Sequence, residues 1–108
     1  MTDQTEEKRR EARHAVKSAI EARDLHTGEC LGLLANVSGH GLMLRSEQEV
    51  PSNRVFQIVL ELPEPLEGRE RLEIGVESLW CHAGEGRFWA GFQIIDIAPE
   101  DRSLLASL

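Results

Sequence analysis

The sequence predicts an all-β domain with a terminal helix: a six-stranded antiparallel β-barrel closed by a short C-terminal α-helix and preceded by a flexible arm. Three observations lead there. Short runs in which apolar and polar side chains alternate recur along the chain. Clusters bearing Gly, Pro, Asn and Ser separate those runs at close intervals, the spacing of small barrels and sandwiches. The chain then ends on "APEDRSLLASL", where a proline and two acids open a helical pattern. A length of 108 residues, with 41% apolar and 29% charged side chains, suits one globular domain.

Taken in order, residues 1–12 are polar and are expected to form a mobile arm, leaving 13–108 as the barrel. "AVKSAIEARDL" sets Val16, Ser18, Ile20 and Ala22 against Lys17, Glu21 and Arg23, a period of two that predicts the first strand. Helix competes here, because Ala and Glu favour it. "HTGE" marks a turn, "CLGLLANV" a second strand, "SGHG" a break and "LMLRS" a short third strand. "RVFQIVLEL" alternates most cleanly, with Phe56, Ile58, Leu60 and Leu62 opposite Gln57 and Glu61. "PEPLEGRE" is expected to be a loop, since its prolines oppose regular pairing. "RLEIGVESLW" puts Leu72, Ile74, Val76 and Trp80 on one face, "CHAGEGR" is expected to turn, and "FWAGFQIIDI" points Phe88, Ala90, Phe92 and Ile94 inward.

Composition excludes several functions. No apolar run approaches the roughly 20 residues of a membrane span, and "MTDQTEEKRR" has no apolar stretch of a secretory signal, so a cytoplasmic protein is expected. Cys30 and Cys81 are too few for a disulfide scaffold and are expected to be reduced packing residues. A net charge of -7 argues against general nucleic-acid binding, which needs a broad basic face, though not against a small anion. His14, His26, His40 and His82 have no metal-ligand spacing, and Cys81 and His82 are adjacent and so face opposite ways on a strand. No nucleophile has a base and an orienting group beside it. Neither a metal, a cofactor nor catalysis is expected.

Against that acidic background, "KRREARHAV" gathers Lys8, Arg9, Arg10 and Arg13 within six positions. Arg9 and Arg13 make R-x-x-x-R before the first strand. "NVSGHG" makes N-x-S-x-x-G with Asn36, Ser38 and Gly41 after the second. With both signatures complete and in order, and with "SLW" and "WAGFQIIDI" following, the chain resembles the PilZ domain family over nearly its whole length. Members of that family bind the bacterial second messenger cyclic dimeric GMP (cyclic di-GMP). The resemblance implies that Arg9 and Arg13 meet guanine edges and phosphates, that Asn36 and Ser38 meet the remaining guanine polar atoms, and that Gly41 keeps the turn tight. Arg10, Lys8 and His40 are further candidates for contact. The chemistry is consistent: guanine O6 and N7 are paired acceptors that an arginine fork meets in two bonds and a lysine does not. Asn36 departs from the commoner acid at its position and offers a neutral acceptor.

Alternation assigns Trp80 to the core, with a ring at the rim stacked on guanine as the alternative. Trp89 falls on the other face, as an anchor for a partner or dimer or as a residue covered by the chain's own helix. The resemblance further implies a non-enzymatic signalling receptor acting on motility, attachment or biofilm behaviour through a downstream protein. Ordering of the arm would be the signal. One or two ligands per protomer, and a monomer or weak homodimer, both remain compatible with the sequence. The competing functions are a nucleotide-independent adaptor of the same fold and a small oligonucleotide-binding barrel. The latter would need exposed aromatics beside basic strands, whereas Glu61, Glu73 and Glu77 line the outer faces here.

Overall fold

The protein's structure, a computed structural model, describes residues 14–16 and 19–108. Strands β1 (His14–Ala15) and β2 (Glu21–Asp24) both pair with β3 (Cys30–Val37), and β4 (Gly41–Ser46), β5 (Val55–Leu66), β6 (Arg69–Gly84), β7 (Arg87–Asp96) and helix α1 (Pro99–Ala106) follow. All pairings are antiparallel, and the ladder runs β3-β2-β5-β6-β7-β4 before β4 pairs with β3 again. With β1 and β2 counted as one interrupted strand, this is a closed six-stranded barrel without a free central edge.

The first strand is broken rather than continuous. The Val16 amide donates to Ala35 O at 3.1 Å, and Ile20 O accepts from the Leu34 amide at 2.8 Å. Neighbouring residues of β3 are thus met by residues four apart, so the two ladders are out of phase. The turn after β2 is an Asx turn, in which the Asp24 carboxylate accepts from the His26 and Thr27 amides at 2.8 and 3.1 Å.

Two expected loops are instead hairpin arms. "PEPLEGRE" extends β5 and β6 as far as the pair Leu66–Arg69, and the prolines fall in the irregular stretch between Glu61 and Leu66, where no ladder bond is lost. "CHAGEGR" continues β6 to the pair Gly84–Arg87. Both hairpins close on Glu-Gly, Glu67–Gly68 and Glu85–Gly86, with φ of 51°, 83°, 56° and 80°. Two successive positive φ values define the type I′ turn, whose twist matches that of the strands.

The alternation otherwise holds. Ile20, Ala22, Leu34, Val37, Leu42, Leu44, Ile58, Leu60, Leu72, Ile74, Val76, Ala90 and Phe92 fill the barrel. Each such large side chain contributes about 1.5–3 kcal/mol of burial. The 47–54 connection is pinned by Ser78, wholly buried: its hydroxyl donates to Pro51 O at 2.6 Å and accepts from the Arg54 amide at 3.1 Å. Helix α1, with Pro99 at its start and Glu100 and Asp101 in its first turn, buries Leu104 and Leu105 against the core. It is also tied by Arg69, which approaches the buried Asp101 carboxylate at 2.9 Å. Among the described residues no helix is long and apolar enough to cross a membrane.

Candidate functional site

Two one-residue irregularities build the site. In β3, Leu34 pairs with Leu44 but Asn36 with Met43, so Ala35 is an extra residue and the facing pattern slips by one. Leu34 and Val37 both stay inside, and Asn36 is turned to the outer face beside Met43. In β6, Ser78 pairs with Phe92 but Trp80 with Gly91, so Leu79 is the extra residue. Ser78 is buried and Cys81 packs against the core, while Trp80 between them moves outward. The placement of Trp80 in the core is therefore corrected: strict alternation from Leu72 fails at the bulge.

The cross-strand pairs Asn36–Met43, Met43–Gly91 and Gly91–Trp80 set these residues in one outer row over β3, β4, β7 and β6. At a strand spacing of about 4.8 Å the row spans roughly 14 Å. The Trp80 indole lies over Gly91, where a β-carbon would collide with the ring, and stacks on His82 with centroids 5.0 Å apart and planes 29° from parallel. The Asn36 amide nitrogen points at Met43 Sδ, 4.0 Å away. Its Oδ1 is buried and has no hydrogen-bond partner among the described residues.

The turn between β3 and β4 is drawn together by Ser38. Its Oγ accepts from the His40 and Gly41 amides, each at 3.2 Å, and its own amide donates to Gly41 O at 2.9 Å. Gly41 lies against β7, and a β-carbon there would stand 2.9 Å from Phe92 O. Between this turn and Trp80 runs a groove of about 440 Å³ lined by Ser38, His40, Gly41, Leu79, Trp80, Phe92, Gln93 and Ile94. The structure thus brings Ser38, His40, Gly41 and Trp80 to one groove and sets Asn36 on the outer row beside it. Lys8, Arg9, Arg10 and Arg13, and the expected arm boundary at residue 12, lie outside the described residues.

Gln93, Leu79 and Met43 were not singled out from the sequence. Gln93 reaches the groove because β7 pairs it with Gly41, and Leu79 because it is the bulged residue; nothing local signals either. Among the described residues no group of three or more His, Cys, Asp or Glu side chains is disposed to hold a metal ion.

The profile of the PilZ domain matches residues 7–108. The chain belongs to the PilZ domain family. Comparison with curated protein sequences returns no match. Among solved structures, this PilZ domain is similar to the inhibitor of motility MotI/DgrA of Bacillus subtilis, with a TM-score of 0.70, 15% identity and 88% of this chain covered. It is also similar to PlzA of Borreliella burgdorferi, a structure in complex with c-di-GMP, with a TM-score of 0.54, 14% identity and 83% covered. The chain spans 46% and 42% of those two proteins, and at such identities the likeness establishes the fold. The closed barrel with its C-terminal helix is accordingly a PilZ barrel.

Proposed function

We propose that this chain is a cyclic di-GMP receptor that holds its ligand between the basic segment Lys8–Arg13 and the outer face of the barrel, and relays occupancy to a protein partner. One observation carries the proposal: Asn36, the first residue of N-x-S-x-x-G, presents a buried Oδ1 that no described residue satisfies, in the row that ends at Trp80. A buried acceptor left unpaired is destabilising by about 1–3 kcal/mol, and guanine supplies N–H donors to fill it. A base stacked on the Trp80 indole, in place of His82, would contribute about 1–3 kcal/mol. Ser38 Oγ accepts two amides and donates to Gly41 O over a long 3.5 Å, a weak bond that a ligand acceptor could replace.

Connectivity supplies the charge. His14, the next residue after Arg13 in sequence, pairs with Val37, and Ala15 pairs with Asn36. Arg9 and Arg13 would meet guanine edges bidentately and neutralise the two phosphates, with Arg10 and Lys8 beside them. Ordering five residues of the arm opposes binding by about 1–2 kcal/mol each, which sets the expected affinity near the micromolar range. That ordering changes the surface a partner meets. PlzA, whose structure holds c-di-GMP, and MotI/DgrA, an inhibitor of motility, share the fold, in keeping with a ligand-dependent regulator of motility or attachment.

Isothermal titration calorimetry with cyclic di-GMP, beside cyclic di-AMP, linear GMP and the Arg9→Ala/Arg13→Ala double variant, tests this. Saturable heat with cyclic di-GMP, lost in the variant and absent with the adenine analogue, is expected. No heat at high micromolar ligand, with no shifts in a parallel NMR titration, would leave a partner-binding adaptor of the same fold.

A further inference from the structure

The Ser38–Gly41 turn carries two glycines, Gly39 and Gly41, and glycine leaves the backbone the widest conformational freedom. Ser38 closes the turn from within, and the Ile94 amide donates to His40 O at 2.9 Å from β7. Gly39 O is engaged from elsewhere. Arg102, on the second half-turn of α1 and 63 residues away in sequence, donates from its guanidinium to that carbonyl. Its aliphatic stem lies along the same residue: a β-carbon at Gly39 would stand 3.7 Å from Arg102 Cγ and 4.0 Å from Cδ. Arg102 is half-buried against the turn, one residue beyond Asp101, which ties the helix to Arg69.

We propose that Arg102 is a positioning residue for the ligand site. By holding the Gly39 carbonyl it keeps the turn in the conformation that presents Ser38 and Gly41 to the groove, so ligand affinity and the docking of α1 are coupled through one side chain. This rests on the cyclic di-GMP reading for its ligand, though the claim about the turn concerns the free protein. A charge-assisted bond to a peptide carbonyl is stronger than a neutral one, and its loss frees a glycine-bearing turn to leave the geometry the ligand needs. Because linkage is reciprocal, whatever factor Arg102 contributes to ligand affinity the ligand returns as a change in the stability of the docked helix.

Arg102→Ala and Arg102→Lys in the full chain separate positioning from plain stability. In the ligand-free protein, hydrogen exchange at the His40 and Gly41 amides is expected to rise about tenfold in Arg102→Ala while Leu44 and Val76 amides stay unchanged, with Arg102→Lys falling between. Calorimetry with cyclic di-GMP is expected to show affinity lowered about tenfold in Arg102→Ala and partly restored in Arg102→Lys. Unchanged exchange at His40 and Gly41 would overturn the positioning role. Unchanged affinity in Arg102→Ala beside a wild type that binds would overturn the coupling. If the wild type itself does not bind, the receptor assignment falls, and exchange alone decides whether Arg102 holds the turn.

Discussion

At the scale of one residue, the proposed site rests most directly on Asn36. Its Oδ1 is buried with no described partner, while its nitrogen faces only the thioether of Met43. A side chain of the same size without polar atoms removes that unpaired acceptor. Asn36→Leu, nearly isosteric, is therefore expected to leave the free protein as stable or up to about 1 kcal/mol more so, and to weaken cyclic di-GMP binding about tenfold. Urea denaturation beside calorimetry checks it, and a destabilised variant with unchanged affinity would contradict it. Gly91 makes the complementary case by lacking a side chain: a β-carbon there would collide with the indole of Trp80.

At the scale of the element, the bulges decide which side chains face outward. Ala35 and Leu79 are each absorbed as a bulge, so that Asn36 and Trp80 face the outer row where strict alternation would set them in the core. Leu79 itself is 45% exposed, so its side chain matters little to packing. Leu79→Ala is expected to change stability by no more than about 0.5 kcal/mol. Deleting Leu79 would make Trp80 the direct neighbour of Ser78, still facing outward and still opposite Gly91, so the ladder closes without the bulge and a loss of no more than about 1 kcal/mol is expected. Chemical denaturation of the two variants checks both, and a loss of about 3 kcal/mol or more on deletion would show that the bulge is itself needed for the fold.

For the molecule as a whole, residues 1–13 contain four acids and four bases, so the full net charge of -7 resides on residues 14–108. On the proposed function, a dianionic ligand would be repelled at long range by the net charge of that body and attracted by the cations close to it. At physiological ionic strength, with a Debye length of about 8 Å, the local term dominates. Salt screens both terms, so between about 50 and 200 mM the dissociation constant for cyclic di-GMP is expected to rise less than about tenfold. A nucleic-acid binder with six to ten phosphate contacts loses roughly 10³–10⁵ over that range. Calorimetry at the two salt concentrations distinguishes them, and a steep loss would favour the oligonucleotide-binding barrel.

What the sequence determined by itself was the alternation that makes six strands, the order of the two signatures around them, and the helix opened by Pro99. These follow from nearest-neighbour chemistry: period-two burial, turn-forming residues and a fixed φ at proline. The hairpin arms at Pro63–Leu66 and His82–Gly84 escaped it, because a glutamate at positive φ is no turn signal on its own and pairing with a neighbouring strand holds it there. Trp80 escaped it for a related reason. A bulge appears only when one strand is laid against another, and one extra residue reverses every side chain beyond it. The same holds for Gln93 in the groove and for Arg102 on Gly39: contacts between residues dozens of positions apart are decided by barrel closure and helix docking, which no local pattern encodes.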